Sequence, residues 1–327
     1  MEAVLEEYVG RLAPSPTGAL HLGNVRTFMV AWLRARRAGG RVVLRMEDLD
    51  HPKDRPGAAA AAIEDLRWLG FDWDEEYVQS ARKDVYRRAL EALRAEGLAY
   101  PCVCTRRDVE SAQSAPHAGE QLHYPGACRG RFADWAAAFA ARNPPGAGGT
   151  PRLPCWRFRT PDGARVAFDD AFAGPFVQDV AATLGDFPLA REEFGAGYTL
   201  ACTVDDLLMG VTEVVRGDDL LAATPAQIIL ARALIPVLPR PGCRVPAYCH
   251  VPLVVGPDGR RLAKRHGDTR IAAYREAGRA PGEILGLLAA SCGWCEPGET
   301  PTLADLLPRF SLATIPRTPF VVDGIGH

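Results

Sequence analysis

The sequence predicts an α/β protein built on a mostly parallel sheet, and three observations predict it. Short apolar runs alternate with stretches of helical periodicity, a pattern that gives parallel strands joined by right-handed crossovers. A loop rich in proline and glycine separates the first apolar run from the first helical one. The second apolar run ends in acidic residues, at the carboxyl edge of a strand where open α/β sheets bind ligands.

Tyr8-Val9-Gly10 is short and apolar, as a buried first strand would be. Residues 11–24, RLAPSPTGALHLGN, carry two prolines and two glycines and cannot form a regular element. Val25, Phe28, Met29 and Trp32 then recur at helical spacing until Gly39-Gly40. The loop therefore feeds a helix N-terminus, whose unpaired N–H groups and positive dipole end attract anions. His21 adds an imidazole donor there, and Gly18 and Gly23 let a bulky ligand approach the backbone. Strand, glycine-bearing loop and helix together suggest a nucleotide-phosphate cradle. Arg41 to Asp50 reads as a second strand with Val42, Leu44 and Met46 on one side, aiming Glu47 and Asp48 at the same crevice. Gly57 to Leu69 and Arg82 to Glu96 read as helices, the latter stopped by Gly97.

From Tyr100 the texture changes. A cysteine-rich loop, a short helix from Asp134 to Arg142 and a Pro/Gly stretch mark an inserted module. Trp156 to Arg159 and Arg165 to Phe168 alternate about Pro161-Asp162-Gly163, which predicts a β-hairpin. The α/β pattern resumes near Gly197. Val204 to Val215 reads as turn and strand material leading to Arg216-Gly217-Asp218-Asp219, followed by a helix from Pro225 to Leu234. From Tyr248 come a short strand, the Pro257-Asp258-Gly259 turn, a basic loop and helices. The expected organisation is 1–100 and 197–247 as the two halves of one α/β domain, 101–196 as the inserted module, and 248–327 as a C-terminal segment.

The 327 residues are 47% hydrophobic and carry a net charge of −2. No apolar run reaches membrane-spanning length and the acidic first residues are no secretory signal, so a cytoplasmic protein is expected. The charge gives no global pull toward nucleic acid, so RNA would need a local basic face. Candidates are Arg34, Arg36 and Arg37, and the cluster Arg260, Arg261, Lys264, Arg265 and Arg270. Nine cysteines in a reducing compartment direct attention to spacing rather than to disulfides. Cys155, Cys202, Cys243 and Cys249 read as small core residues, and Cys292-Gly-Trp-Cys295 as packing. Cys102-Val-Cys104 and Cys128, with His117, His123 or Tyr124, can close a tetrahedral zinc site. A loop of this length has little core and a physical need for such a staple.

Ala13-Pro14-Ser15-Pro16-Thr17-Gly18, followed by His21-Leu22-Gly23-Asn24, resembles the signature of class I aminoacyl-tRNA synthetases of the glutamyl and glutaminyl branch. Residues 257–270, PDGRRLAKRHGDTR, fall where that family carries its mobile lysine loop, with Arg261-Leu262-Ala263-Lys264-Arg265 in the motif. Lys264-Arg265-His266-Gly267-Asp268 also resembles the branch's Lys-Arg-x-Gly-Asp variant. The resemblance implies a class I synthetase Rossmann-type sheet with an inserted zinc-containing module and a C-terminal helical stem-contact segment. It implies His21 and Lys264 as catalytic groups, and ATP bound by Gly18, His21, Gly23, Asn24 and Lys264. It implies a glutamate pocket of Arg11, Leu12, Ala13, Pro14, Ser15, Glu47, Tyr198 and Arg216, with Thr199 where an asparagine is usual. Arg11 or Arg216 would clamp the side-chain carboxylate and Glu47 hold the ammonium; Arg216 could instead pair with Asp218 or Asp219. The implied zinc ligands are Cys102, Cys104, Tyr124 and Cys128, with His123 the easier fourth donor on chemical grounds.

Full-length members of the branch continue into an anticodon-reading domain, whereas this sequence ends at His327, with room expected only for the stem-contact segment. With the Cys-x-Cys…Tyr…Cys pattern and the run from Val211 to Gly217, it resembles the short glutamyl-Q group of that family. The resemblance implies tRNA-independent activation of L-glutamate by ATP with Mg, then transfer to the queuosine base at the wobble position of tRNA(Asp). A monomer with no membrane partner is expected. The alternatives are a truncated glutamyl-tRNA synthetase charging a 3′ end and an inactive nucleotide- or RNA-binding relative.

Overall fold

The computed structural model describes residues 7–16, 19–49, 57–112, 122–145, 149–260, 262 and 269–322. Strand β1 (Val9–Leu12) leads through the loop into helix α1 (Leu22–Arg37), followed by β2 (Arg41–Met46), α2 (Ala58–Trp68), β3 (Glu75–Val78) and α3 (Lys83–Ala95). β1, β2 and β3 are parallel neighbours, with Val9 opposite Arg41 and Val43 opposite Glu75. β3 was not legible as a strand: it is short, charged and at the sheet edge, where charge discourages further pairing.

The middle of the chain gives β4 (Ala99–Cys102), α4 (Arg106–Ala112), α5 (Trp135–Arg142), β5 (Cys155–Phe158), β6 (Arg165–Asp170), β7 (Gly174–Asp179), α6 (Val180–Thr183) and β8 (Pro188–Ala190). The expected hairpin between Trp156 and Phe168 does not form. β5 lies between β4 and β8 in a small antiparallel sheet, while β6 pairs with β7 and, in parallel, with a strand much later in the chain. Pro161-Asp162-Gly163 thus passes between two sheets. Alternation specifies that a run is a strand, and burial of its face selects the partner.

Helix α7 (Tyr198–Met209), β9 (Glu213–Gly217), α8 (Thr224–Leu234) and β10 (Ala247–Val251) follow. The expected turn and strand material from Val204 is the second half of α7, ended by Gly210 at φ +70°. Asp205 and Asp206 are buried inside that helix and break the apolar periodicity that would have announced it. The chain closes with β11 (Val254–Val255), α9 (Ile271–Glu276), α10 (Pro281–Ala290), α11 (Leu303–Leu306) and β12 (Phe320–Val321), with β11 and β12 paired.

β9 and β10 are parallel, and β10 carries β6 and β7 on its far side. The two half-sheets meet where Thr212 N–H donates to Val9 O at 2.9 Å. The composite order is β3-β2-β1-β9-β10-β6-β7, which reverses direction between β1 and β9. Such a switch point is where doubly wound sheets bind ligands. Val42, Leu44 and Met46 face a core shared with α1, α2 and the C-terminal helices. Val9, Val43 and Val214 face the opposite core with α3, α7 and α8. On the candidate basic face of α1, Arg34 pairs with Glu213 and Arg36 with Asp72 and Asp74, while Arg37 is exposed and donates to Phe310 O. Cys292 is core, as expected, and Cys295 packs against Gly286 O. Among the described residues no helix is long and apolar enough to cross a membrane.

Candidate active site

A cavity of about 460 Å³ opens at the switch point. Arg11, Ala13, Ser15, His21, Gly23, Asn24, Glu47, Tyr198 and Arg216 all line it, drawn together from β1, α1, the end of β2, α7 and β9. Leu12 and Pro14 do not. Leu12 is fully buried in the core, and Pro14 contributes its carbonyl, which accepts the Glu47 N–H at 2.9 Å. Asp48 also turns away, its carboxylate accepting from Ser80 N–H at 2.7 Å and from the Ser80 hydroxyl. Gly18 and Lys264, with Arg261 and Arg265, lie outside the described residues.

At the head of α1 the Asn24 side chain reaches back to the His21 N–H at 3.2 Å, and Thr269 Oγ1 lies 3.2 Å from His21 Nδ1. Backbone bonds from Leu22 N to Thr269 O and from Ile271 N to Leu20 O fasten residues 269–271 beside the helix start. Leu262 lines the cavity. Of the two described flanks of the lysine-loop segment, Leu262 lines the cavity and Thr269 lies against His21 at the α1 N-terminus. A Cβ added to Gly23 would meet Val254 Cβ at 3.6 Å, an ordinary contact, so protein packing does not require glycine there.

The charged floor has its own wiring. Arg45, 1% exposed, pairs with Asp206 at 2.6 Å and with Glu47 Oε1 at 3.0 Å. Burial alone would lower the pKa of Arg45, but Asp206 and Glu47 outweigh it and hold the guanidinium charged. Cys202, read from sequence as plain core, donates to the same Glu47 oxygen at 3.1 Å. Burial and then the Glu47 charge push its thiol well above the usual range, so the S–H stays a donor. Glu47 Oε2 receives no protein hydrogen bond among the described residues and is left to the cavity. Arg11 donates Nη1–H to Val215 O at 2.6 Å, while its buried Nε has no hydrogen-bond partner and stands 3.7 Å from Asp206 Oδ1. Arg216 does not pair with Asp218 or Asp219; it bonds His250 at 3.0 Å and Thr224 at 2.7 Å. Arg45, Asp206, Cys202 and His250 escaped the sequence reading. The alternation of β2 is the one signal for Arg45, which sits on the Val43 face rather than with Leu44.

A second cluster lies at the end of β4. The Sγ atoms of Cys102, Cys104 and Cys128 all lie within 4.8 Å of one another. The Tyr124 hydroxyl is 3.2 Å from Cys102 Sγ and 3.6 Å from Cys104 Sγ. His123 points elsewhere, with Nε2 3.1 Å from Ala181 O, and His117 is outside the described residues. Tyr124 is fixed through its backbone to Leu184 and Asp186, across Gly185 at φ +65°, where a Cβ would stand 2.0 Å from Tyr124 O. Three thiols and a phenol oxygen suit zinc, and Arg157 stacks 3.9 Å over the Tyr124 ring and donates to Cys102 Sγ, offsetting the negative charge.

A profile described as tRNA synthetases class I (E and Q), catalytic domain, matches residues 7–302. The chain is 48% identical over 321 residues to a protein named glutamyl-Q tRNA(Asp) synthetase from Symbiobacterium thermophilum, covering 95% of this chain and 94% of that one. A protein of the same name from Nitratidesulfovibrio vulgaris is 44% identical over 95% of this chain and 94% of its own. Among solved structures, a glutamate tRNA ligase from Elizabethkingia meningosepticum in complex with its amino acid superposes with a TM-score of 0.78 at 26% identity, over 98% of this chain and 68% of that one. The chain belongs to the class I tRNA synthetases of the E and Q type and, within them, to the glutamyl-Q tRNA(Asp) synthetase family.

Proposed function

We propose that the chain activates L-glutamate with ATP and Mg, without needing tRNA for that step, and transfers the glutamyl group to the queuosine base at the wobble position of tRNA(Asp). One observation carries the reading: a single cavity joins a helix N-terminus suited to phosphate to an arginine and a carboxylate suited to an amino acid. Arg216, with Arg11, takes the side-chain carboxylate; Glu47 Oε2 takes the ammonium; Tyr198, Ser15 and Ala13 form the walls, and the Pro14 carbonyl holds the Glu47 backbone. ATP lies over Gly18, Gly23 and Asn24, with its phosphates at the α1 N-terminus. The glutamate α-carboxylate attacks the α-phosphorus and pyrophosphate leaves. His21 and Lys264 stabilise the charge that accumulates on the phosphate oxygens. A queuosine hydroxyl then attacks the activated carbonyl and AMP departs.

Zinc, held by Cys102, Cys104, Cys128 and Tyr124, supplies structural cross-linking of the module and no reactive position. In this reading 101–196 receives the anticodon loop, where single-stranded bases can be splayed out, and the helices after Thr269 contact the stem. The enzyme works in the cytoplasm, as a monomer.

The test incubates labelled glutamate and ATP with tRNA(Asp) bearing or lacking queuosine, and with tRNA(Glu), then resolves the products on acid gels. Label on queuosine-bearing tRNA(Asp) alone is expected. Label at the 3′ end of tRNA(Glu) would make the chain a shortened glutamyl-tRNA synthetase. Absence of glutamate-dependent ATP–pyrophosphate exchange would make it an inactive relative.

A further inference from the structure

We propose that His250, held by Asp170, is a positioning residue that fixes the plane of the Arg216 guanidinium and so sets the preference for a carboxylate-bearing amino acid. This rests on the reading of Arg216 as the carboxylate clamp. His250 and Arg216 sit opposite each other in the parallel register of β10 and β9. Asp170 ends β6, one strand further out. Its Oδ1 accepts three backbone N–H groups, from His250 at 3.0 Å, Phe172 at 3.0 Å and Ala173 at 2.8 Å. Its Oδ2 is thereby aimed at His250 Nδ1, 2.6 Å away.

The tautomer follows from chemistry. Arg216 Nε always carries a hydrogen and directs it to His250 Nε2 at 3.0 Å, so Nε2 must offer its lone pair. The imidazole proton therefore resides on Nδ1 and is donated to Asp170. Burial above all, and the Arg216 charge, lower the pKa of His250 against the opposing pull of Asp170, which keeps the ring neutral. Thr224 Oγ1, which also lies 3.0 Å from His250 Nε2, accepts Arg216 Nη2–H at 2.7 Å and directs its own proton to Leu220 O at 3.1 Å. The Tyr248 ring lies 5.6 Å from the guanidinium and stacks parallel to the His250 ring. Arg216 is thus held along one edge and over one face, and its remaining N–H bonds have no protein acceptor among the described residues. A guanidinium locked this way presents a fixed fork to a carboxylate and has little orientational freedom left to lose on binding.

The decisive variant is Asp170→Asn. The three backbone donors retain the amide oxygen at Oδ1, which puts the NH₂ where Oδ2 was. That group donates to Nδ1 and moves the imidazole proton to Nε2, against Arg216 Nε–H. In glutamate-dependent ATP–pyrophosphate exchange the glutamate KM rises by about 10-fold or more, the loss expected for one hydrogen bond to a charged group, while the ATP KM is unchanged and the preference for glutamate over glutamine falls. Nitrogen NMR of the wild-type histidine reports an Nδ1–H tautomer that becomes Nε2–H in the variant. His250→Gln, whose Oε1 can accept from Arg216, recovers more glutamate affinity than His250→Ala. An unchanged glutamate KM in Asp170→Asn, a parallel rise in both KM values, or an Nε2–H tautomer in the wild type overturns the proposal. Wild-type protein without glutamate-dependent exchange overturns instead the reading on which it rests.

Discussion

The switch-point crevice and the cysteine module solve the same problem, converging polar groups in one place, by opposite means. In the crevice the buried polar groups are wired to one another by the chain: Arg45 to Asp206 and Glu47, and Arg216 to a neutral His250 that Asp170 holds. Two large apolar cores hold the elements that carry them. In the module three thiols and a phenol converge over a core of five buried side chains, Tyr100, Cys102, Val109, Tyr124 and Cys128, most of which are the converging groups themselves. The crevice rests on both large cores, whereas the cysteine loop has only this small cluster around it. Metal removal should separate the two and is the largest effect expected, since structural zinc contributes on the order of 10 kcal/mol to small domains. With the proposed zinc bound, chelation or Cys128→Ser removes it in elemental analysis and speeds hydrogen exchange around Cys102 and Tyr124. Transfer to tRNA will be lost while glutamate-dependent pyrophosphate exchange persists; loss of both together would mean that the crevice also depends on the metal.

The converse break is Asp205→Ala, which strikes the chain's own wiring beneath the crevice. Asp205 is fully buried and accepts from Gln79 at 3.0 Å, Arg82 at 2.9 Å and Tyr86 at 2.7 Å. Removing it leaves a half-buried guanidinium and two polar groups without their acceptor, which costs about 3–5 kcal/mol. Denaturant titration measures this directly. A loss below about 1 kcal/mol, the scale of exposed pairs such as Arg87 with Asp84, would show that the network is not what holds α3 to α7.

Chemistry rather than stability is the target of Lys264→Ala. Its loop is flanked by Leu262, which lines the cavity, and by Thr269, which lies against His21; in the proposed mechanism Lys264 supplies a cation to phosphoryl transfer, and its loss removes that charge stabilisation. Exchange is expected to fall by about 10²-fold, equivalent to roughly 2.7 kcal/mol, with an unchanged melting temperature. Wild-type rates would remove Lys264 from the mechanism.

What could be read from the sequence divides along the same line. The loop that leads into α1 and the cysteine cluster are written in contiguous strings, residues 11–24 and 102–128, and local strings carry their own geometry. His250 and Asp170 are eighty positions apart and meet because β6 leaves its apparent hairpin partner to join β10, which alternation within either strand cannot disclose. Asp206 was hidden for a related reason: a carboxylate inside a helix looks like an interruption until Arg45 on β2 is known to face it. That the Tyr124 hydroxyl rather than the His123 ring lies beside the thiols goes with backbone bonds to Leu184 and Asp186, again remote in sequence. Residues that line the cavity were legible, and the partners that aim them were not.

The smallest expected effect gives the finest discrimination between a residue kept for the fold and one kept for a ligand. Gly23 sits in the first turn of α1, where glycine costs helix stability relative to alanine. The space for a Cβ exists, with Val254 Cβ at 3.6 Å as its nearest neighbour. Gly23→Ala should therefore leave stability unchanged or raise it by up to about 1 kcal/mol. The methyl group instead projects where a nucleotide would lie against the backbone, so the KM for ATP should rise several-fold while that for glutamate stays put. A stabilised variant with an unaltered ATP requirement would detach the glycine from nucleotide binding and leave the helix N-terminus as the sole phosphate contact of this turn. A destabilised one would mean that the packing around Val254 is tighter than the distance implies, and that the fold alone explains the residue.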